Sequence, residues 1–185
     1  VNNLCKEVEQ IVTVQHWKDM TENEILLELF ICLLGSGVKY ELATAYAKSI
    51  SDSFSLTENH LQNDFSIEKI STLLGSPCYN KIEEKYYTKY RYPKRGAQHI
   101  FRSISKIRLK YESIVNLLEM NLSVYEIRRE LVSLCPGIGP KQGSHFLKNI
   151  GYTEDVAVID RHIIKYLEEA DKISITHTKL CLLYT

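Results

Sequence analysis

One short run of residues constrains the fold of this chain more than any other: Pro136-Gly137-Ile138-Gly139-Pro140, with helical apolar periods on both sides. The glycines can take a positive φ and carry no Cβ, so backbone amides here can come close to a ligand. Ile138 should pack inward and hold the turn. The run therefore predicts a helix-hairpin-helix whose second helix offers free N–H groups to a phosphate. A tight turn without a ligand is the alternative, because short glycine turns are common.

The rest of the chain is helical in pattern, with apolar residues recurring every three or four positions and only four prolines and eight glycines. We therefore expect an all-α fold. Thr21 and Glu24 predict a capping box at the start of the first helix, and Ser123 with Glu126 predicts another. Further helices are expected at about 40–51, 57–63, 66–74, 94–108, 110–120 and 140–151, with one more beginning at Asp160.

One domain of two interlocking helical lobes, covering residues 1–185, is the simplest arrangement, because the sequence contains no internal repeat, low-complexity tract or linker. The helix-hairpin-helix should occupy about 123–151. A length of 185 residues with 44% apolar content is enough to bury a core without disulfide bonds.

The cysteines and the apolar pattern bear on location. The five cysteines are widely spaced and form no CxxC pair, which indicates reduced thiols and no metal site (Cys5, Cys32, Cys78, Cys135 and Cys181). No run of eighteen apolar residues and no signal peptide is visible. We therefore expect an intracellular monomer, in the cytoplasm or nucleoid, or in the nucleus of a eukaryote, with no membrane contact.

The zero net charge conceals a basic segment. Residues 81–111 carry 10 lysines and arginines against 2 acidic residues, a balance of +8, whereas 1–75 carry 5 against 11 and 112–185 carry 8 against 10. Aromatic side chains interleave with these charges (Tyr86, Tyr87, Tyr90, Tyr92, Phe101 and Tyr111). The mixture suits a ligand with a charged backbone and stackable rings, which is nucleic acid. A solvated amphipathic helix is the alternative.

Lys141 follows the hairpin directly, in the first turn of a helix, where the helix dipole disfavours a cation. Its neutral amine could attack the anomeric carbon of a deoxynucleoside, expel the base and form a Schiff base with the opened sugar. Elimination of the 3′ phosphate then becomes easy. A lysine that contacts phosphate or solvent is the alternative.

Asp160 is expected to be the N-cap of its helix. An ionised carboxylate there could stabilise an oxocarbenium-like transition state and manage the proton of Lys141. Capping alone is the alternative, although the two roles are compatible because a capping aspartate is held rigidly. His162, in the same helix, either donates to a phosphate or is an ordinary surface histidine.

Three stretches, at 134–141, 142–152 and 158–162, together resemble the helix-hairpin-helix, Gly/Pro-rich loop, Asp superfamily of DNA glycosylases. Within it they are most similar to the 8-oxoguanine DNA glycosylase/AP lyases of archaea and some bacteria. Residues 32–38 and 91–100 also resemble that family, so the resemblance spans roughly 15–170.

The resemblance implies a base flipped into a cleft between two helical lobes, with damaged double-stranded DNA as the partner. Lys141 would be the Schiff-base nucleophile and Asp160 the catalytic carboxylate. Gly137, Ile138, Gly139 and His162 would contact DNA, and Arg91 or Tyr92 would fill or read the space left by the flipped base. No cofactor is implied beyond a monovalent cation on hairpin carbonyls.

The chain departs from the family pattern in two places. Gly143 stands where alanine is usual, and residues 175–185 do not resemble the family's C-terminal segment, whose terminal lysine is implicated in recognising the oxidised base. We therefore expect either a truncated or frame-altered relative or a family member with an unusual ending. The alternative functions are therefore an AP lyase, a glycosylase for another damaged base, or a non-catalytic DNA-binding module.

Overall fold

The computed structural model describes residues 16–54, 65–80 and 83–159, together with residues 162, 165, 166 and 169. Within them, the fold consists of α-helices and one small hairpin of strands. The helices are α1 (Glu22–Leu34), α2 (Tyr40–Ser53), α3 (Ile67–Gly75), α4 (Pro93–Tyr111), α5 (Ile114–Leu118), α6 (Val124–Leu134) and α7 (Pro140–Asn149). A short 3-10 turn at Trp17–Asp19 precedes α1, and strands β1 (Cys78–Asn80) and β2 (Lys85–Tyr87) lie between α3 and α4.

Helix α1 is the centre of the core. Eight of its thirteen residues are buried, so it has no polar face turned wholly to solvent. It contacts α2, α4, α5 and α7. Helix α6 contacts α7 and α4, and α3 contacts α2 and α4. Helices α2 and α3 thus form one set, and α5, α6 and α7 form the other. Both sets pack against α1 and α4, which agrees with the expected all-α architecture of two interlocking lobes.

The predicted helix starts are confirmed where side chains cap them. Thr21 and Glu24 form both hydrogen bonds of a capping box at α1, and Ser123 and Glu126 form the same pair at α6. These bonds satisfy amides that have no partner inside the helix. Helix α3 begins with Ser66, whose hydroxyl accepts from the Lys69 amide. Local sequence therefore fixes these boundaries.

The pair of strands is the main difference from the sequence prediction. The all-α prediction included no strands, but β1 and β2 pair antiparallel with Tyr79 opposite Tyr86. The two rings lie 4.8 Å apart between centroids, on the exposed face. Strands of three residues are too short to show a period of two, which explains why the pattern did not reveal them.

Helix boundaries after residue 93 also differ in detail. The two helices predicted at 94–108 and 110–120 are instead Pro93–Tyr111 and Ile114–Leu118. Glu112 separates them with φ of 68°, and Ser113 caps the second helix. The helix predicted near 57–63 lies outside the described residues, and so does Asp160, the predicted start of the last helix. The described residues that follow it, 162, 165, 166 and 169, are helical.

Three of the five cysteines are described, and all three are free and buried: Cys32, Cys78 and Cys135. Burial raises the pKa of the Cys32 and Cys135 thiols to about 12, so neither is a thiolate at neutral pH. In the described part of the chain, no helix has the length and apolar character needed to cross a membrane. The single-domain assignment and the intracellular location stay predictions.

Candidate active site

The hairpin joins α6 to α7 over residues 135–139. Gly137 has φ of 96°, in the region that favours glycine, and the Ile138 amide donates to the Cys135 carbonyl at 3.0 Å. The Ile138 side chain is only 5% exposed, so the prediction that it packs inward is confirmed. The turn is therefore fixed by one glycine conformation and one buried apolar anchor.

The start of α7 is left open for a ligand. Its N-cap is Gly139, an extended residue with no side chain to accept from the first amides. Helices α2 and α4 also lack a side-chain cap, whereas hydroxyl groups cap α1, α3, α5 and α6. Pro140 has no N–H, and the first intrahelical bond runs from the Gly143 amide to the Gly139 carbonyl at 2.9 Å. The amides of Lys141 and Gln142 thus have no partner inside the helix, and this arrangement favours an anion.

Lys141 is exposed and is the second residue of α7. The next side chain, Gln142, donates from Nε2 to the Cys32 carbonyl of α1 at 3.2 Å. The backbone that carries Lys141 is therefore tied to α1, while the Lys141 side chain is exposed.

The packing of α6 on α7 depends on a buried arginine. Arg128 is 4% exposed, and its Nη1 donates to Oγ of Ser144 at 3.1 Å. Its guanidinium also lies 5.5 Å from the centroid of the Tyr125 ring. A methyl group at Gly143 would lie 3.1 Å from Arg128 Cγ, closer than ordinary contacts. Gly143, a departure from the family pattern, thus makes room for the arginine stem.

A cavity opens beside the hairpin, between the end of α1, the start of α4 and Gly137. Its lining residues are Leu33, Ser36, Tyr90, Tyr92, Arg95, Gly96, His99 and Gly137. Tyr90 anchors this wall, because its hydroxyl donates to the Leu34 carbonyl at 2.7 Å and its amide donates to the Leu74 carbonyl at 2.8 Å. The cavity brings the basic, aromatic segment against the hairpin.

Arg91 and Tyr92 lie at this edge of the molecule. Arg91 Nη1 donates to the Gly37 carbonyl at 3.1 Å, and its guanidinium is 5.1 Å from the Tyr92 ring centroid. Tyr92 is 40% exposed and is the N-cap of α4. The structure therefore brings Tyr92 and the predicted phosphate-binding hairpin to one cavity, with Arg91 beside the tyrosine ring.

Two predicted residues of the C-terminal part cannot be placed against this site. Asp160 lies outside the described residues, and His162 is described as exposed. Among the described residues, no group of three or more His, Cys, Asp or Glu side chains could hold a metal ion. The monovalent cation on hairpin carbonyls, which the resemblance leaves open, stays a prediction.

Comparison with known families decides where this architecture belongs. The family model described as 8-oxoguanine DNA glycosylase matches residues 65–182, which is well over half of the chain and includes the hairpin and α7. The chain belongs to the 8-oxoguanine DNA glycosylase family.

Individual relatives agree with the family assignment. An 8-oxoguanine DNA glycosylase/AP lyase of Sulfurisphaera tokodaii is 30% identical over 149 residues, which cover 80% of this chain and 62% of the relative. The crystal structure of the Methanocaldococcus jannaschii 8-oxoguanine DNA glycosylase superposes with a TM-score of 0.66 at 26% identity, over 97% of this chain and 76% of that one. The same enzyme in complex with a 15-mer DNA containing 8-oxoguanine gives 0.60 at 25% identity, over 90% and 72%. This chain thus spans less than two thirds of the Sulfurisphaera relative.

The sequence prediction missed several residues that this 8-oxoguanine DNA glycosylase family member places around its hairpin. Arg95 and His99 lie one turn apart on α4 and both line the cavity, and Arg128 supports α7. The i, i+4 spacing of Arg95 and His99 was visible in the sequence. Their position beside Gly137 depends on how α4 packs against the hairpin. This packing cannot be predicted from the residues of α4 alone.

Proposed function

We propose that this chain is a bifunctional DNA N-glycosylase and AP lyase that excises oxidised guanine from double-stranded DNA. The observation that carries the proposal is Lys141, an exposed amine in the first turn of α7, directly after a hairpin whose amides are open to a phosphate. Membership of the 8-oxoguanine DNA glycosylase family supports an interpretation of this lysine as a nucleophile that attacks a DNA sugar.

The reaction begins at the sugar. The neutral Lys141 amine attacks C1′ while the bond from C1′ to the oxidised base breaks, and the base leaves with the bonding electrons and takes up a proton. Loss of the ring-oxygen bond opens the sugar and gives a Schiff base between Nζ and C1′. Removal of a C2′ proton then expels the 3′ phosphate by β-elimination, and water releases the lysine.

The hairpin holds the DNA for this reaction. Free amides at the start of α7 and the positive end of its dipole bind a backbone phosphate, with Gly137 and Gly139 allowing close approach. Because Lys141 lies in the same turn, the bound phosphate sets the distance from the amine to the sugar. The basic segment at 81–111 adds attraction for the DNA backbone.

Asp160 is proposed to assist as a carboxylate near the sugar. It would stabilise the oxocarbenium-like transition state and accept a proton from Lys141. His162 is proposed to donate to a phosphate. Arg91 and Tyr92 would occupy the space that the flipped base leaves, which agrees with their position beside the hairpin cavity.

Borohydride trapping tests the lyase chemistry, because reduction of the Schiff base joins protein and DNA covalently. We expect trapping with an abasic duplex, loss of the adduct in Lys141→Gln, and retention in Lys148→Gln, which removes an exposed lysine from the same helix. Asp160→Asn should slow base release by about 100-fold or more. An adduct that forms equally well in Lys141→Gln would refute the assignment of the nucleophile.

A panel of lesion duplexes tests the substrate. Release of 8-oxoguanine before strand cleavage supports the proposed glycosylase. Cleavage of the abasic duplex alone would show that the protein is an AP lyase without glycosylase activity. Cleavage at an oxidised pyrimidine would show that it acts on a different lesion. Salt-sensitive binding without cleavage would reduce the protein to a DNA-binding module.

A further inference from the structure

Helix α4 carries positive charge with no negative charge of its own to balance it. Its 19 residues include six lysines and arginines and no aspartate or glutamate. The exposed face of an ordinary surface helix mixes both signs, because acidic and basic side chains three or four positions apart stabilise each other. The composition of Pro93–Tyr111 therefore indicates that the balancing charge comes from outside the helix.

Three of these charges lie on one stripe of α4. Arg95, His99, Arg102 and Lys106 are spaced by four, three and four positions, so successive members are neighbours on the same face. The arginines and the lysine are exposed and His99 is partly exposed, whereas another side of the helix is buried in the core. We call these four residues the α4 stripe. At 1.5 Å per residue the stripe is about 16 Å long.

The α4 stripe begins beside the hairpin and leads away from it along α6. The imidazole of His99 lies against the backbone of Gly137 in the hairpin. Three turns later in α4, Lys110 forms a salt bridge with Glu130 of α6. Because the later residue of α4 meets the earlier residue of α6, the two helices run antiparallel. The stripe therefore extends from the hairpin in one direction, and Lys106 lies at its far end.

The start of the α4 stripe and the start of α7 lie at the same end of α1. Arg95 and His99 line the cavity beside the hairpin together with Leu33 of α1. Gln142, in the first turn of α7, donates to the Cys32 carbonyl. A duplex held at the open amides of α7 would thus have the stripe beside it.

The three charged residues of the stripe have no acidic partner among the residues that the structure describes. Other lysines of the same region of sequence space are paired: Lys85 with Glu83, Lys110 with Glu130 and Lys165 with Glu169. Like charges that are close together and not neutralised repel each other, and a bound polyanion removes that repulsion. The stripe thus has the charge pattern of a surface that binds an anionic polymer rather than of a solvated helix face.

We propose that the α4 stripe is a second DNA-binding surface, on which Arg95, Arg102 and Lys106 contact backbone phosphates on one flank of the lesion. The inference rests on the proposed function, because it concerns the same duplex that the hairpin holds. The length of the stripe corresponds to about five nucleotides of one strand at 3.4 Å each. These contacts read neither sequence nor damage, so they also hold undamaged duplex.

The first test measures binding to an undamaged duplex between about 50 and 200 mM salt. Removal of two phosphate contacts in Arg102→Gln/Lys106→Gln should reduce the slope of log K against log salt by about 1.8. The affinity advantage of the parent should therefore shrink about tenfold over this range. Arg102→Lys/Lys106→Arg keeps both charges and should keep the parental slope. Lys18→Gln/Lys48→Gln removes two exposed lysines outside α4 and should also keep it.

The second test shortens the DNA on one side at a time. Each duplex carries a reduced abasic site, which cannot form a Schiff base, and one flank is cut from about ten to about three base pairs, shorter than the stripe. We expect the parent to lose affinity when one particular flank is cut and to tolerate loss of the other. Arg102→Gln/Lys106→Gln should bind the two shortened duplexes equally well.

These tests separate the inference from the proposed function. An unchanged salt slope in Arg102→Gln/Lys106→Gln, or equal losses from the two flanks in the parent, would overturn the DNA-binding role of the α4 stripe. Loss of the borohydride adduct in Lys141→Gln would still support the proposed function in that case. An adduct that survives in Lys141→Gln would refute the proposed nucleophile and leave the salt slope unaffected.

Discussion

The imidazole of His99 lies directly against the backbone of Gly137, so that a methyl group on Gly137 would stand 2.2 Å from His99 Nδ1. The contact joins the first half of α4 to the hairpin that precedes Lys141. It also explains why residue 137 must be glycine for two independent reasons, its φ of 96° and the absence of space for a Cβ.

Gly137→Ala should destabilise the protein by about 2 kcal/mol or more, from the left-handed backbone and the clash with His99 together. Chemical denaturation measures this loss. Gly139→Ala is the matched control, because no atom lies within 4 Å of its Cβ position and its φ is negative. Adding His99→Ala should recover the steric part only, and full recovery would contradict the φ argument.

Stability should fall on acidification through His99. Burial lowers its pKa, and Arg95 and Arg102 lower it further. Above the unfolded-state pKa of about 6.5 the neutral ring contributes fully, and the contribution is lost as pH falls through the lower folded-state pKa. The stability of the parent relative to His99→Gln should therefore be greater at pH 8 than at pH 5 in urea denaturation. A difference that stays constant over this range would show that His99 titrates normally.

Gly143→Ala should act through Arg128. Alanine gains about 1 kcal/mol in helix propensity over glycine, but its methyl group would press on Arg128 Cγ at 3.1 Å, in a side chain held by Ser144. We expect net destabilisation in the parent and stabilisation in an Arg128→Ala background. A double-mutant cycle measures the coupling between the two substitutions. Additive changes in the free energy of unfolding would show that the Arg128 side chain moves aside without cost.

Ser123→Ala should cost about 1 kcal/mol, because it removes the N-cap of α6 and its capping box with Glu126. Thermal and urea denaturation report the loss. Ser133→Ala, at an exposed position of the same helix, serves as control and should change stability by less than about 0.5 kcal/mol. Equal effects of the two substitutions would show that the Ser123 cap does not stabilise α6.

The sequence predicted those features that neighbouring residues determine. Thr21 with Glu24 and Ser123 with Glu126 satisfy amides three positions apart, so their capping boxes need no tertiary information. Ile138 likewise follows from being the one bulky apolar residue between two glycines. Lys141 was placed in the first turn of α7 for the same reason.

What the sequence could not give depends on packing between distant segments. The Tyr79–Tyr86 pair arises across a hairpin whose strands are too short to show alternation. The contact of His99 with Gly137 requires α4 to lie beside the α6–α7 turn. Neither contact produces a periodic pattern in the sequence. The folded structure is therefore needed to identify the basic residues that lie beside the hairpin.

The hydrogen bond from Gln142 to the Cys32 carbonyl affects whether the protein or the DNA changes conformation when they bind. The residue after Lys141 is bonded to α1, so the backbone that carries the proposed nucleophile is held against the core. In the proposed reaction, we therefore expect the nucleotide to move toward the lysine. In the proposed reaction, the conformational cost of bringing amine and C1′ together therefore falls on the DNA, and lesions that weaken stacking or pairing lower that cost.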